Sequence, residues 1–392
     1  MAWFLALLLG TVPPALALSD AQQLVVEAWR LVNQSYVDPP RFEQVQWKRL
    51  RQKALEQPIH TSHDAYEAIS TMLAPLGDPY TRLLRPEEYS TLKANTQGSV
   101  NGVGLQLALR SADEQIIVIA PLDGSPAAEA LIPSGTALLA VNGISTAELG
   151  LEGTAAALRG EAGSRVLLLL ETPAGQSREL ELERRTVNLQ PVQSRLIEQD
   201  GHQLAYLRIT QFSEPVPAQV EAVLTSEAIA RSDGLILDLR NNSGGLVSAG
   251  LAVANDLLNS EPIVTTQDRD GLSSPTQAGP GQLYGGPLVT LVNGGTASAS
   301  EILAGALQDD GRSVLLGSRT FGKGLIQTLI PLGDGSGLAV TVARYLTPSG
   351  RDIQNLGILP DLPLQAPEPL NPGGQGDVWL KQAASALVEQ LG

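Results

Sequence analysis

Between residues 20 and 95 apolar side chains recur three and four positions apart. Leu24, Val25, Ala28, Leu31 and Val32 form one such stripe, and the stretch 64–74 repeats the pattern. That period predicts helices with one buried face. Asp38-Pro39-Pro40 ends the first helix and Gly77-Asp78-Pro79 the last, since proline lacks the amide a helix interior needs. From about residue 97 the texture changes to short apolar runs between glycine turns. Gln115–Ile119 and Arg165–Leu170 read as strands, Asn142-Gly143 as a hairpin turn, and Gly153–Arg159 as a short helix. These predict a compact β-rich module over 97–185.

Beyond it, over 186–365, buried strands alternate with helices. Leu235–Leu239 leads through a glycine turn into a helix at Leu246–Leu258, and Pro287–Val292 leads through a second glycine turn into a helix over about 298–308. Ligands of such α/β layers bind at the carboxyl ends of the strands. Residues 366–376 are rich in Pro and Gly, and 377–390 read as a closing helix. The fold class is therefore multidomain α+β: a helical region over 18–96, the β-rich module, an α/β core drawing on part of 18–96, and a linker with a helix over 366–392.

The first residues carry a different signal. Trp3–Val12 is an apolar run of about ten residues, half of what a bilayer span needs. Ala15-Leu16-Ala17 supplies a small-x-small cleavage pattern before Leu18, so 1–17 reads as an export signal. No Lys or Arg precedes Arg30; an apolar helix packed on the protein is the other reading.

Composition narrows the chemistry. The 392 residues include 26 basic and 41 acidic side chains, a net charge of −15, with no basic patch, which excludes an electrostatic nucleic-acid binder. There is no cysteine and only three histidines, so thiolate chemistry is absent and a Ser-His-Asp triad has few candidate bases. Of the 26 bases 21 are Arg, and Lys323 is the only lysine between positions 94 and 380. Arg cannot lose its proton in a protein, whereas a desolvated Lys can.

Three stretches of the α/β core could carry chemistry. Asn293–Glu301 runs from a strand through Gly294-Gly295 to a helix start bearing Thr296, Ser298 and Ser300. A hydroxyl there, with the following amide pointing out of the helix, has the ingredients of a nucleophile beside an oxyanion site. The spacing Ser298-x-x-Glu301 is equally that of a helix capping box, and the spacing does not choose among the three hydroxyls. Asp238–Gly245 offers a second glycine turn whose amides could bind an anion. Gly317–Gly324 approaches a phosphate-binding loop, but its eighth position is Gly324 instead of Ser or Thr, and a strand, Leu325–Leu332, follows instead of a helix. Lys323 is better explained as a general base for a serine. Lowering its pKa from about 10.4 to about 7–8 requires about 4 kcal/mol, within reach of burial.

Taken together these stretches resemble the carboxyl-terminal processing, or tail-specific, proteases. The resemblance rests on Val292–Asp309, on Thr320-Phe321-Gly322-Lys323-Gly324 with a 25-residue gap from Ser298 to Lys323, and on Leu76–Thr81, Asp238–Gly245, Tyr345–Arg351 and Gly357–Asp361. Gly102-Val103-Gly104-Leu105 resembles the carboxylate-binding loop of a PDZ domain, making 97–185 that domain and 186–365 a protease core of the ClpP/crotonase-like type. The resemblance implies Ser298 as nucleophile, Lys323 as general base, Gln327 orienting the lysine, and the amides of Gly244 and Ala299 as oxyanion hole. Glu301 and Asp309 match supporting acidic positions, and Arg159 matches a position that could couple the PDZ domain to the site. Lys323 and Gln327 pose a geometric problem, because four residues of straight strand span about 13 Å.

Two positions depart from the family pattern. A Gly-x-x-x-Gly-Asp turn is expected where this chain has Leu131–Thr136, and Ser243 stands where many relatives carry proline. The implied function is an exported serine endopeptidase that captures the free C-terminus of a flexible protein tail and needs no metal or cofactor. It would reside in the periplasm or, in a photosynthetic source, in the thylakoid lumen, there maturing a photosystem II reaction-centre precursor. A hydrolytically silent carrier on the same scaffold is the alternative.

Overall fold

The computed structural model describes residues 18–110, 115–122, 124–133, 135–172, 175–369 and 371–392. The expected export signal lies outside them, as does Ser134.

The α/β core is built on a six-stranded sheet in the order Val192–Gln199, His202–Ile209, Gly234–Asp238, Leu288–Val292, Val314–Gly317, Leu362–Pro363. The first two strands form an antiparallel pair and the remaining neighbours run parallel. Strand side chains alternate between faces, and both faces are apolar. Leu207, Leu235, Leu237 and Val292 pack with the helices Val216–Leu224, Val247–Leu257 and Ala299–Asp309. Tyr206, Ile236, Val289 and Leu316 pack against Trp379, Leu380 and Leu387 of the helix Val378–Leu391. The C-terminal helix is thus the second cover of the central sheet, although composition set it apart as a tail.

Fully buried charges fasten it there. Asp377 caps that helix by accepting the Leu380 amide (2.9 Å), and both its carboxylate oxygens receive the Arg240 guanidinium (3.1 and 2.7 Å). Arg240 is in turn bidentate on Asp238 (2.9 and 2.6 Å), which also accepts Tyr206 and Arg208. Such a network is stable only when every member is satisfied.

A second, antiparallel sheet explains where the N-terminal helices belong. Its long strand Gly337–Leu346 pairs with Arg82–Leu84, Pro262–Asp268 and Leu325–Pro331. Leu338 and Val340 of that strand share a core with Leu24, Val25, Ala28 and Val32 of the helix Asp20–Ser35, and with Ile69 and Met72 of the helix Ser62–Leu73. The helical region is welded to the core by a strand that periodicity did not reveal.

The β-rich module hangs on a two-stranded stalk, Ser99–Gly102 with Arg185–Asn188. Its sheet runs Leu105–Arg110, Gln115–Pro121, Ala137–Val141, Arg165–Glu171, Ser177–Glu183, over a core of Val118, Leu138, Leu158, Leu168 and Leu170. Asn142 and Gly143 turn with φ +50° and +81° as the hairpin signal requires. The helix expected at Gly153–Arg159 spans Thr146–Leu158 instead, capped by Ser145 and interrupted at Gly150, whose φ of +66° is non-helical. Where a turn glycine is missing, Leu131 takes φ +52° with 82% of its surface exposed.

Candidate active site

The strand Leu288–Val292 ends in a turn held by Asn293, whose side-chain oxygen accepts the amides of Asn241 (2.8 Å) and Gly295 (3.1 Å). This ties the 238–245 loop to the start of the helix Ala299–Asp309. The structure separates the three hydroxyls that spacing could not. Thr296 donates to the Leu239 carbonyl (2.9 Å) and Ser300 to that of Asn242 (2.9 Å), and both are wholly buried. Ser298 is 8% exposed, with φ +58° and ψ −118°. The N-cap residues Ser19, Thr61 and Ser125 sit in the ordinary extended region, at φ −64°, −123° and −87°. Capping alone does not call for the Ser298 backbone. A non-glycine residue so placed is strained and persists where its surroundings over-determine it.

Two of those surroundings are identifiable. Gly244 lies against Ser298 so closely that a Cβ there would stand 2.8 Å from the Ala297 carbonyl and 2.9 Å from Ser298 Cβ. The second is Glu301, fully buried, which accepts the Ser298 amide on Oε2 (2.9 Å). The same carboxylate accepts the Lys323 amide on Oε2 (2.9 Å), and on Oε1 the Gly322 amide (2.7 Å) and the Thr320 hydroxyl (2.5 Å). The capping-box spacing is therefore realised, and Glu301 also joins the helix start to the loop that carries the lysine.

Lys323 extends from that loop to place its ammonium 4.9 Å from the centre of the Tyr80 ring. Burial holds its pKa below that of an ordinary lysine; Arg82 adds to the lowering, while Asp78 and Glu301 oppose it. The Gly77–Thr81 turn that presents Tyr80 is built by Asp78, which accepts the Tyr80 amide (2.9 Å) and the Thr81 hydroxyl (2.7 Å). Asp78, Tyr80, Gly324, Leu325 and Gln354 line a cleft of about 340 Å³. This turn is the Leu76–Thr81 block of the family resemblance, and the fold sets it beside the lysine. Gly322 (φ +89°) and Gly324 let the loop lie against 353–357, where a Cβ at Gly322 would come 2.7 Å from the Gly357 amide nitrogen.

Tyr345, 1% exposed, reaches the same place from the long strand. Its hydroxyl lies 2.7 Å from the Lys323 carbonyl and 3.1 Å from that of Ser298, while its amide donates to the Gly324 carbonyl (2.9 Å).

Other expected residues sit differently. The Ala299 amide has no acceptor among the described residues, but that of Gly244 donates to Asn242 Oδ1 (3.0 Å). One of the two donors expected to be open is therefore engaged. Gln327 lies beyond a register shift between Ile326 and Gln327, and its carboxamide donates to Thr341 Oγ1 (3.4 Å), with no hydrogen bond to Lys323 among the described residues. Asp309 ends the helix that Ser298 begins, about 16 Å away along its axis. There it accepts the Ser349 amide (2.9 Å) and pairs with Arg351.

In the β-rich module, Gly102, Val103, Gly104 and Leu105 line a cavity of about 230 Å³ with Ala155, Leu158 and Arg159. Gly104 turns at φ +72°, where a Cβ would meet Ser125 Cβ at 2.2 Å. The strand Leu105–Arg110 that follows has one partner among the described residues, leaving an edge beside the cavity. Arg159 is exposed and bridges Gly102. It also lines a cleft of about 330 Å³ together with Arg82, Leu84 and Glu87.

Comparison with known proteins places this arrangement. Residues 203–364 match the profile of peptidase family S41. The chain is 47% identical over 358 residues to a carboxyl-terminal-processing protease of a Picosynechococcus species, covering 91% of this chain and 86% of that protein. It is 40% identical to a chloroplastic C-terminal processing peptidase of Tetradesmus obliquus, covering 90% and 79%. Among solved structures, a photosystem II D1 C-terminal processing protease superposes with a TM-score of 0.65 at 39% identity, covering 88% of this chain and 94% of that one.

Proposed function

The chain belongs to peptidase family S41, among the carboxyl-terminal processing proteases, and from that membership we propose a serine endopeptidase that cleaves within the C-terminal tail of protein substrates by a Ser-Lys mechanism. The observation that carries the proposal is the strained Ser298 at a helix start, joined through one buried carboxylate to the loop of a partly buried lysine. Ser298 Oγ attacks the scissile carbonyl carbon while its proton passes to Lys323 Nζ. The peptide C–N bond then breaks, the leaving amine takes the proton from Lys323, and water hydrolyses the acyl-enzyme. The Ala299 amide stabilises the oxyanion; Gly244 joins it when its amide turns from Asn242 to the substrate. Gln327 orients the lysine only by giving up its long bond to Thr341.

The module over 97–185 acts in this reading as a PDZ domain. A free carboxylate binds at Gly102–Leu105 and the tail adds as a strand to the edge Leu105–Arg110. Arg159, sharing a cleft with Arg82, couples that groove to the lysine. Relatives named as chloroplastic, and one named for the photosystem II D1 protein, support an exported, lumenal enzyme acting on a photosystem II reaction-centre precursor; periplasmic processing is the counterpart outside photosynthetic membranes.

Mass spectrometry of an unstructured peptide incubated with the protein tests this reading, comparing free with amidated C-termini and the native chain with Ser298→Ala and Lys323→Ala. Cleavage that needs both residues and the free carboxylate is expected. Cleavage that ignores the carboxylate would remove the PDZ gate. Binding without cleavage would leave a carrier on a peptidase scaffold.

A further inference from the structure

We infer that the Tyr345 hydroxyl is a positioning group for the reaction, fixing the backbone of the nucleophile and that of the base relative to one another. The inference rests on the Ser-Lys reading above and adds to it a residue whose contacts are made to the main chain of both partners. A buried phenol must place its proton on an acceptor. Here the acceptors within reach are the carbonyls of Ser298 (3.1 Å) and Lys323 (2.7 Å), two residues from distant parts of the chain. The Tyr345 amide holds the next carbonyl, that of Gly324, at 2.9 Å. The Lys323-Gly324 peptide is thus gripped at both of its carbonyls by a single residue of a long, many-partnered strand.

Glu301 performs the complementary task by taking the amides of Ser298 and Lys323. The carboxylate holds both N–H groups, and the phenol shares its one proton between the two carbonyls, the Lys323 oxygen being the nearer. The strand supporting Tyr345 also pairs with Arg82–Leu84, so the grip has a rigid base. Burial and the nearby Glu301 carboxylate raise the phenol's pKa well above 10, so it is a donor at neutral pH.

The groups that bear on the Lys323 charge are Arg82 and Asp78 from the N-terminal segment, Glu301 from the helix, and the Tyr80 ring. None of them is altered by removing the Tyr345 oxygen. What changes is how firmly Lys323 is kept in its partly buried seat. A loosened loop lets the amine re-solvate, and its pKa moves back toward that of an exposed lysine.

The test measures covalent modification of Ser298 by a fluorophosphonate probe in the full chain, as a function of probe concentration and pH. Wild type is compared with Tyr345→Phe and with Tyr284→Phe. The latter removes another largely buried phenol, bonded to the Pro287 carbonyl (3.0 Å) away from the site. For Tyr345→Phe the maximal modification rate at neutral pH should fall roughly tenfold, and the pH midpoint of labelling should move upward. Half-saturating probe concentration should stay unchanged, and Tyr284→Phe should leave rate and midpoint as in wild type. Thermal unfolding confirms that each variant is folded. Equal rates and midpoints in Tyr345→Phe and wild type, with only the melting temperature lowered, would reduce the hydroxyl to a packing bond and overturn the inference. Failure of wild type itself to label at Ser298 would instead overturn the Ser-Lys reading, and the inference with it.

Discussion

Ser298 and Lys323 give their backbone amides to the same atom, Oε2 of Glu301, at 2.9 Å each. The two nitrogens therefore lie within roughly 6 Å of each other, a proximity set by the main chain before either side chain is considered. The sites of nucleophile and base in the proposed mechanism are built as one unit.

Glu301→Gln should accordingly be severe. The carboxylate serves four donors with two acceptor oxygens, whereas a carboxamide has one acceptor and turns an NH2 toward the others. A loss of about 3 kcal/mol in stability is expected, together with loss of peptide cleavage. Chemical denaturation and a cleavage assay at a temperature where the variant remains folded measure the two effects separately.

Lys323→Arg should abolish cleavage by about 10³-fold, because a guanidinium keeps its proton. In the native enzyme the rate should rise as Lys323 deprotonates, with a midpoint below the ordinary 10.5. Arg82→Gln, which removes a cation pressing on the amine, should move that midpoint upward. A pH–rate profile of the two proteins decides it.

The same residue leaves a mark on stability. Between its lowered native pKa and 10.5 the unfolded chain binds more protons at this position than the native one, so stability gains from this group as pH rises through that window. Below the native pKa the cost of burying the charge is felt in full. Lys323→Met should flatten that part of the stability-against-pH curve, which melting temperatures of both proteins across the alkaline range will show.

Gly104→Ala in the β-rich module places a Cβ 2.2 Å from that of Ser125, at φ +72°. The loop must shift, and capture of a tail carboxylate should weaken at least tenfold while hydrolysis of a saturating peptide continues. The expected signature is a raised KM with kcat retained, read from initial rates over a range of tail concentrations.

Leu131→Gly should stabilise the chain by about 1 kcal/mol, since glycine accepts a positive φ that costs leucine energy, and the exposed side chain contributes little packing. Calorimetry would register a raised melting temperature; a lowered one would mean that the leucine packs in a way its exposure conceals.

What could be read from the sequence was local. The strand–glycine–helix units at 235–258 and 287–308 are legible because a buried run, its turn and the following helix are contiguous. The Ser298-x-x-Glu301 spacing was visible as a cap, but three of the four donors to Glu301 come from 320–323, a juxtaposition no periodicity encodes. For Gln327, family spacing does not show that its carboxamide is bonded across the sheet to Thr341. Tyr80, Tyr345 and Asn242 lie in stretches that carry the family resemblance, but their places at the site come from contacts between distant elements that those stretches do not encode. The short strand Arg82–Leu84 was hidden for the same reason.

That strand has a consequence in time as well as in space. Arg82 pairs with Ala339, about 260 residues later, and Leu387 of the helix that closes the central sheet shares a core with Leu204. Contacts of such sequence separation form late and fold slowly. In refolding, the lysine loop gains the strand that holds it only after those distant partners have met, so the site is assembled after the local helices and hairpins.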